Sequence, residues 1–318
     1  MTELPRRPLG NSGLKIAPFA LGGNVFGWTV EERTGFRLLD EFVSAGFNLI
    51  DTADTYSKWV TGHHGGESES MIGRWLHESG RRNEVLIATK VGMEMGDGSK
   101  GLAPSHIESS VGDSLRRLQT DVIDLYQAHI DDPETPLEDT LRAFDKLKTA
   151  GTVRAIGASN YSAARLEEAL QTSERLGLSR FESLQPKYNL MDRSEFEGEV
   201  ATVCKKHGLG VLTYASLAAG FLTGKYRSKA DTGKSPRGGR AGARLVERGY
   251  RILAALDSVG ARLGAAPSTV ALAWVMARPL VTAPIASATS EDQLRELLRA
   301  ASLHLDAEAK QELDRASG

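Results

Sequence analysis

Four residues of this chain have side chains suited to moving a proton. Asp51 closes the run FNLID, Tyr56 follows five residues later in DTADTY, Lys90 closes VLIATK, and His129 ends VIDLYQAH. A phenol is a weak acid with an ordinary pKa near 10, and an adjacent ammonium favours its ionised form. The sequence therefore predicts a Tyr56–Lys90 pair with a lowered tyrosine pKa. Asp51 would hold the lysine charged and oriented, and His129 would donate a hydrogen bond to a carbonyl oxygen. That is a proton donor beside an oxyanion site. No side chain in the set supplies hydride, so a reduction would need a nicotinamide cofactor. Each residue also has an ordinary structural role open to it: Asp51 as a helix N-cap, Tyr56 as a loop aromatic, Lys90 as a solvated strand end, His129 as a hydrogen-bonded core residue.

What could bring the four together is their place at or just beyond the carboxyl ends of strands. Short β-branched or apolar runs start at Ile16, Phe47, Val85, Val122, Val153, Glu182, Gly210 and Val281, and most are followed by helical periodicity. Ile107, Val111, Leu115 and Leu118 form one apolar stripe, and Leu137, Leu141, Phe144 and Leu147 another. Thr135-Pro136 with Glu138, and Ser105 with Glu108, have the spacing of capping boxes, and the first pair adds a proline at the first helical position. From Phe47 to Gly210 successive runs start roughly 28 to 38 residues apart, the length of one strand, one helix and two loops. The last gap is 71 residues, Gly210 to Val281. It accommodates a long polar loop at about 225–244, one helix to about Leu263 and a second across STVALAWVMA. Eight such units without a composition break predict an α/β fold, a (β/α)8 TIM barrel in one domain over 1–318 with long loops on its carboxyl face, against an open doubly wound sheet. Ahead of it, LGNSGLKI reads as a hairpin turning at Asn11, Ser12 and Gly13, placed to cap the barrel floor.

Composition narrows the function classes. The 318 residues are 41% hydrophobic and 25% charged, as in an ordinary globular protein. The formal net charge of −2 removes the electrostatic footprint of a dedicated nucleic-acid or anionic-membrane binder. One cysteine, Cys204, precludes an intrachain disulfide and a cysteine-based zinc cluster, and no metal site is expected. With no apolar amino-terminal run and no stretch of about 18 uncharged apolar residues, the expectation is an unprocessed cytoplasmic protein.

Three motifs suggest other chemistry. Gly96–Gly101, GDGSKG, matches a dinucleotide fingerprint with Asp121 and Asp124 about twenty residues on. However, its glycines lie beyond the strand end at Val91, and Pro104-Ser105 starts the helix after the motif, so a flexible loop is expected. SKADTGKS, 228–235, lacks the first glycine of a phosphate loop and is followed by Pro236; it reads as a solvated loop. His63-His64 are adjacent side chains that do not converge on a metal unaided.

Taken together, the residues resemble the aldo-keto reductase family, whose Asp, Tyr, Lys and His tetrad occupies matching strand ends with the D-T-A-x-x-Y spacing seen here. The resemblance runs in family order through LGNSGLKI, FNLIDTADTY, IATK, LYQAHIDD, GASNYS, LQPKYNLMDR, YASLAAGFLTGKY and IASATSEDQL. It implies a (β/α)8 barrel that uses NADPH or NADH to reduce a small-molecule aldehyde or ketone, with Tyr56 as general acid. It also implies that Gly23, Asn24, Asp51, Ser159, Asn160 and Gln185 surround the nicotinamide, with Tyr214 stacked on the ring. Ala215, Leu217, Gly220, Leu222, Gly224 and Lys225 resemble the pyrophosphate segment. Arg240, with Arg237 an equal candidate, resembles the arginine that clamps the cofactor. Ser287, Thr289, Gln293 and Glu296 match positions at the adenosine end, and Ser290 with Gln293 also has capping-box spacing. Thr289 and Gln293 stand where many members have a basic residue, Leu297 where an asparagine often contacts adenine, and Ala215 where serine is frequent, so both cofactors stay open. Potassium-channel β subunits share this pattern, which leaves a cofactor-binding redox sensor or regulatory subunit as the alternative. Those subunits tend to lose the histidine that His129 retains. An aldolase-like Schiff-base role for Lys90 is a third possibility, but it leaves Tyr56 and the carboxyl-terminal motifs unused.

Overall fold

The computed structural model describes residues 4–318. A hairpin of β1 (Arg7–Pro8) and β2 (Lys15–Ile16) precedes eight strands: β3 (Ala20–Gly22), β4 (Leu49–Asp51), β5 (Leu86–Val91), β6 (Ile123–Ala128), β7 (Val153–Ser159), β8 (Ser183–Gln185), β9 (Gly210–Thr213) and β10 (Val281–Ala286). These pair in parallel, each with the next, and β10 returns to β3 to close the barrel. Helices α1 (Glu32–Ser44), α2 (Glu67–Ser79), α3 (Pro104–Leu118), α4 (Leu137–Thr149), α5 (Ala163–Leu176) and α6 (Glu199–His207) alternate with the strands. The long connection after β9 carries the short α7 (Gly238–Gly242), then α8 (Glu247–Leu263) and α9 (Pro267–Met276); α10 (Glu291–Leu298) and α11 (Ala307–Ser317) follow β10.

Alternation along each strand decides what fills the interior. Ala20, Leu49, Ala88, Leu125, Ala155, Leu212, Ala283 and Ile285 form one buried cluster with Leu9, Leu14 and Ile16 of the hairpin, which plugs the floor. The hairpin comes so close that a Cβ on Gly10, at φ +54°, would lie 2.2 Å from the Glu182 carbonyl oxygen. The other strand face packs against the helices through the larger cluster, which includes Ile107, Val111, Leu141 and Phe144. Among the described residues no single helix is long and apolar enough to cross a membrane.

Three local expectations are corrected. The run from Ile16 does not form one strand: Lys15–Ile16 pairs within the hairpin and Ala20–Gly22 enters the barrel. Pro18 lies between them, and a proline has no amide to give to a ladder. Neither predicted box caps its helix. Pro104 starts α3, which places Ser105 inside the helix, and α4 has no side-chain cap because the Thr135 hydroxyl donates to Asp132 at 2.7 Å instead. Finally, 225–244 is ordered and not a plain loop. A 3-10 turn over Lys229–Lys234 is closed by a reciprocal Ser228–Asp231 capping box, and α7 follows.

Candidate active site

The carboxyl ends of β4, β5 and β6 bring Asp51, Lys90 and His129 to one mouth of the barrel. Lys90, fully buried, donates from Nζ to Asp51 Oδ2 (2.9 Å), to the Thr52 carbonyl (2.6 Å) and to the Tyr56 hydroxyl (3.0 Å). Its three protons are thus all engaged, which leaves no free amine for a Schiff base. Tyr56 reaches the group from the turn after β4. Its amide closes on the Ala53 carbonyl at 3.2 Å, and the next residue, Ser57 at φ +75°, is pinned by a 2.7 Å bond from its hydroxyl to the Phe26 carbonyl. The His129 ring centroid lies 6.0 Å from that of Tyr56, and its buried Nδ1 has no partner among the described residues.

The electrostatics correct one expectation. Burial pushes the Tyr56 phenol up to about 12, and Asp51 adds to the rise, so together they outweigh Lys90. The predicted lowering therefore does not occur, because taking a phenolate out of water costs more here than one ammonium, already shared with a carboxylate, returns. Burial opposes the charge on Lys90 too, but Asp51 and Tyr56 more than restore it and hold its pKa above the ordinary lysine value. Burial, with Lys90 nearby, holds His129 well below the ordinary histidine value. At neutral pH the group consists of a protonated phenol, a charged lysine and a neutral imidazole.

A polar chain runs from this group around the rim. Gln185 donates from Nε2 to Asp51 Oδ1 at 2.8 Å, and the Ser159 hydroxyl donates to the Gln185 carbonyl at 2.8 Å. Asn160 donates from Nδ2 to Ser159 Oγ at 3.1 Å and accepts from the Tyr214 hydroxyl at 2.7 Å. This rim borders a cleft of about 1050 Å³ that extends from Tyr56 and His129, past Tyr214 and Gly220, to Thr289 and Gln293 at the amino end of α10. Of the cofactor positions implied by the resemblance, Asn24, Asp51, Ser159, Asn160, Gln185, Tyr214, Ala215, Leu217, Gly220, Lys225, Arg240, Ser287, Thr289, Gln293 and Glu296 line it. Gly23, Leu222 and Gly224 do not: Gly23 donates its amide to the Asp51 carbonyl at 2.7 Å beneath the surface, and Leu222 is fully buried.

Backbone strain gathers at the same place. Among the described residues six non-glycines have positive φ, and five of them, Ser57, Asn160, Ala215, Ala218 and Ala219, flank the cleft; the sixth, Gln119, ends α3. Such conformations cost of order 1 kcal/mol or more and persist where the surroundings impose them, commonly at ligand sites. The cleft is long, carries amide and hydroxyl groups at one end and cationic side chains in the middle, and closes on a helix amino terminus. This donor set fits an anionic dinucleotide.

Other sequence signals resolve differently. The Gly96–Gly101 loop packs on the preceding segment through a 2.8 Å bond from the Gly96 amide to the His64 carbonyl, and it does not line the cleft. Asp124 is a structural anchor, accepting from the Ile87 amide (2.9 Å), Arg82 (2.9 Å) and Arg154 (2.7 Å). Ser290 caps α10 through the Gln293 amide, but the Gln293 side chain accepts from the Thr289 amide and hydroxyl, both at 3.0 Å, so the box is not reciprocal. Lys234 and Ser235 line the cleft from within the segment whose SKADTGKS motif reads as a solvated loop. Sequence reasoning missed a buried cluster behind Lys90, in which Glu69 pairs with Arg117 at 2.7 Å while Asp54 and the Tyr126 hydroxyl have no partner among the described residues. A carboxylate inside DTADTY was the available signal.

The model of the "Aldo/keto reductase family" matches residues 18–317. The chain is 36% identical over 308 residues to the uncharacterized oxidoreductase YrpG of Bacillus subtilis, covering 94% of this chain and 92% of that protein. It is 35% identical over 216 residues to the aldo-keto reductase YhdN of the same organism, covering 67% and 61%. It is also 32% identical over 304 residues, covering 92% and 89%, to a probable voltage-gated potassium channel subunit beta of Oryza sativa.

Proposed function

Because this chain belongs to the aldo/keto reductase family of oxidoreductases, we propose that it reduces an aldehyde or ketone to the alcohol with NADPH, NADH being the second candidate. The observation that carries this reading is the Asp51–Lys90–Tyr56 group opening into a cleft of about 1050 Å³ that reaches from Tyr56 to the amino end of α10. A nicotinamide, when bound, supplies hydride to the carbonyl carbon.

The chain's own residues do the rest. Tyr56, protonated at neutral pH, gives its hydroxyl proton to the carbonyl oxygen, and the phenolate left behind is stabilised by Lys90, which Asp51 keeps charged. Neutral His129 carries one ring N–H to orient that oxygen. Ser159, Asn160 and Gln185 would hold the carboxamide and Tyr214 the ring face. Lys225 and Arg240 would meet the phosphates, and Ser287, Thr289, Gln293 and Glu296 the adenosine end.

Titration with NADPH and NADH by tryptophan fluorescence, then loss of nicotinamide absorbance with a panel of carbonyl compounds, tests the reading. Binding with turnover is expected, and Tyr56→Phe should lose ~10²–10⁴ in turnover while still binding cofactor. Near-normal turnover in that variant would remove Tyr56 as the acid. The similarity to a channel β subunit supports a second reading, a cofactor-binding regulatory subunit, for which binding without turnover on any carbonyl is the signature.

A further inference from the structure

Most arginines that leave the surface of this protein have an evident partner. Arg82 meets Asp124, Arg117 meets Glu69 and Arg244 meets Asp192, while Arg248 donates to main-chain carbonyls. Arg237 has neither kind of partner. Its side chain makes no ion pair and no hydrogen bond among the described residues, yet Nη2 is buried, and its guanidinium carbon lies 5.2 Å from the centre of the Trp28 ring. A guanidinium stays charged, and a buried N–H of a cation with nothing to accept it is costly. Burial and the like charge of Arg240 destabilise the cation further.

The position selects the ligand. Arg237 and Trp28 line the same cleft as Tyr56 and His129. Trp28 stands edge-on to Trp59 at 5.6 Å, and Trp59 lies 6.2 Å from the Tyr56 ring, so a run of aromatic rings joins this arginine to the proton donor. The hydroxyl of Thr29, also on the cleft wall, is likewise buried without a partner among the described residues. Lys225 and Arg240, which line the cleft and have no carboxylate partner among the described residues, remain for the cofactor phosphates. The fork of Arg237 is set for a planar anion, and the indole beneath it for the flat or apolar body that bears one.

Resting on the reductase reading, we propose that Arg237 and Trp28 form a subsite for a carboxylate carried by the carbonyl substrate, so that oxo acids and carboxylated aldehydes are preferred over neutral carbonyls of the same size. Steady-state kinetics at saturating NADPH would compare 4-carboxybenzaldehyde with 4-methylbenzaldehyde, and succinic semialdehyde with butanal, in wild type, Arg237→Met and Arg237→Lys. The wild type should favour the acid of each pair in kcat/KM, and Arg237→Met should lower that preference at least about thirtyfold, with partial recovery in Arg237→Lys.

Equal losses on acid and neutral partners together with weaker NADPH binding would assign Arg237 to the cofactor and overturn the proposal. So would a wild type without preference. A second readout needs no turnover. Calorimetric titration of the NADPH complex should find benzoate bound at least about tenfold tighter than benzamide in wild type but not in Arg237→Met. If no carbonyl is reduced but this difference holds, the reductase reading fails and the anion subsite stands; if reduction occurs without the difference, the subsite fails alone.

Discussion

Tyr56 and Asp54, two residues apart in DTADTY, show how burial sets the protonation state that sequence cannot. The spacing of Asp51, Tyr56, Lys90 and His129 at strand ends is legible in the sequence. Whether the phenol gains more from Lys90 than it loses by leaving water depends on the depth of the turn after β4, and depth is a tertiary quantity. Asp54 is the sharper case. Burial pushes its carboxyl up to about 8, the Glu69 carboxylate adds to the rise, and both its oxygens lack partners among the described residues. In the unfolded chain the same group ionises near 4. The folded state therefore holds a proton that the unfolded state has lost between about pH 4 and pH 8, so Asp54's contribution to stability is full below that window and is lost as pH rises through it. Replacing it by Asp54→Asn removes this dependence. Urea unfolding of both proteins at pH 5 and pH 8.5 should show the stability difference moving in favour of Asp54→Asn by on the order of a few kcal/mol at the higher pH. A pH-independent difference would mean that the folded carboxyl is already ionised.

Among the elements, the barrel strands are the most legible, because a strand covered on both faces must be apolar throughout and stands out as a run. Helix starts are less so. Thr135 and Ser105 have capping spacing, but a hydroxyl takes whichever acceptor or amide the tertiary structure puts nearest, and Asp132 takes Thr135. The hairpin is legible as a turn, yet its tightness against the floor is not. Gly10 sits at φ +54° with the Glu182 carbonyl oxygen 2.2 Å and the Gly210 amide nitrogen 3.1 Å from where a Cβ would stand. Gly10→Ala should cost about 2–4 kcal/mol through the clash and the left-handed backbone, read as a lower urea midpoint with unchanged slope. Because the floor is the opposite end of the barrel from the cleft, kcat/KM of the folded variant should stay within about twofold of wild type. A comparable loss in both quantities would show that plug and mouth are coupled.

On the scale of the whole molecule, the barrel separates what holds it together from what it acts with. The floor and the helix layer are closed by apolar packing, while the mouth carries the strained backbone and the free cations. The segment 225–244 belongs to the mouth. It is tied down on the outside by Arg227 to Asp257 at 2.7 and 2.8 Å, and internally by a 2.6 Å bond between the Tyr226 and Ser235 hydroxyls. Lys234, Arg237 and Arg240 line the cleft from its inner side. Its polar, glycine-rich composition hid this order in the sequence, since the acceptors that fix it are distant residues or a ligand. If the cofactor phosphates are held here, binding must suppress the openings of the segment that expose it to a protease. Lys229, Lys234 and Arg240 are exposed trypsin sites, and cleavage through a transient opening follows the population of the open form. A ligand at ten times its dissociation constant that binds only the closed form reduces that population about elevenfold. Trypsin digestion with NADPH at that concentration should therefore slow about tenfold between 225 and 244, with a smaller effect at sites elsewhere. Cleavage at the same rate with and without cofactor would place the phosphates away from this segment and return Lys225 and Arg240 to a purely structural role.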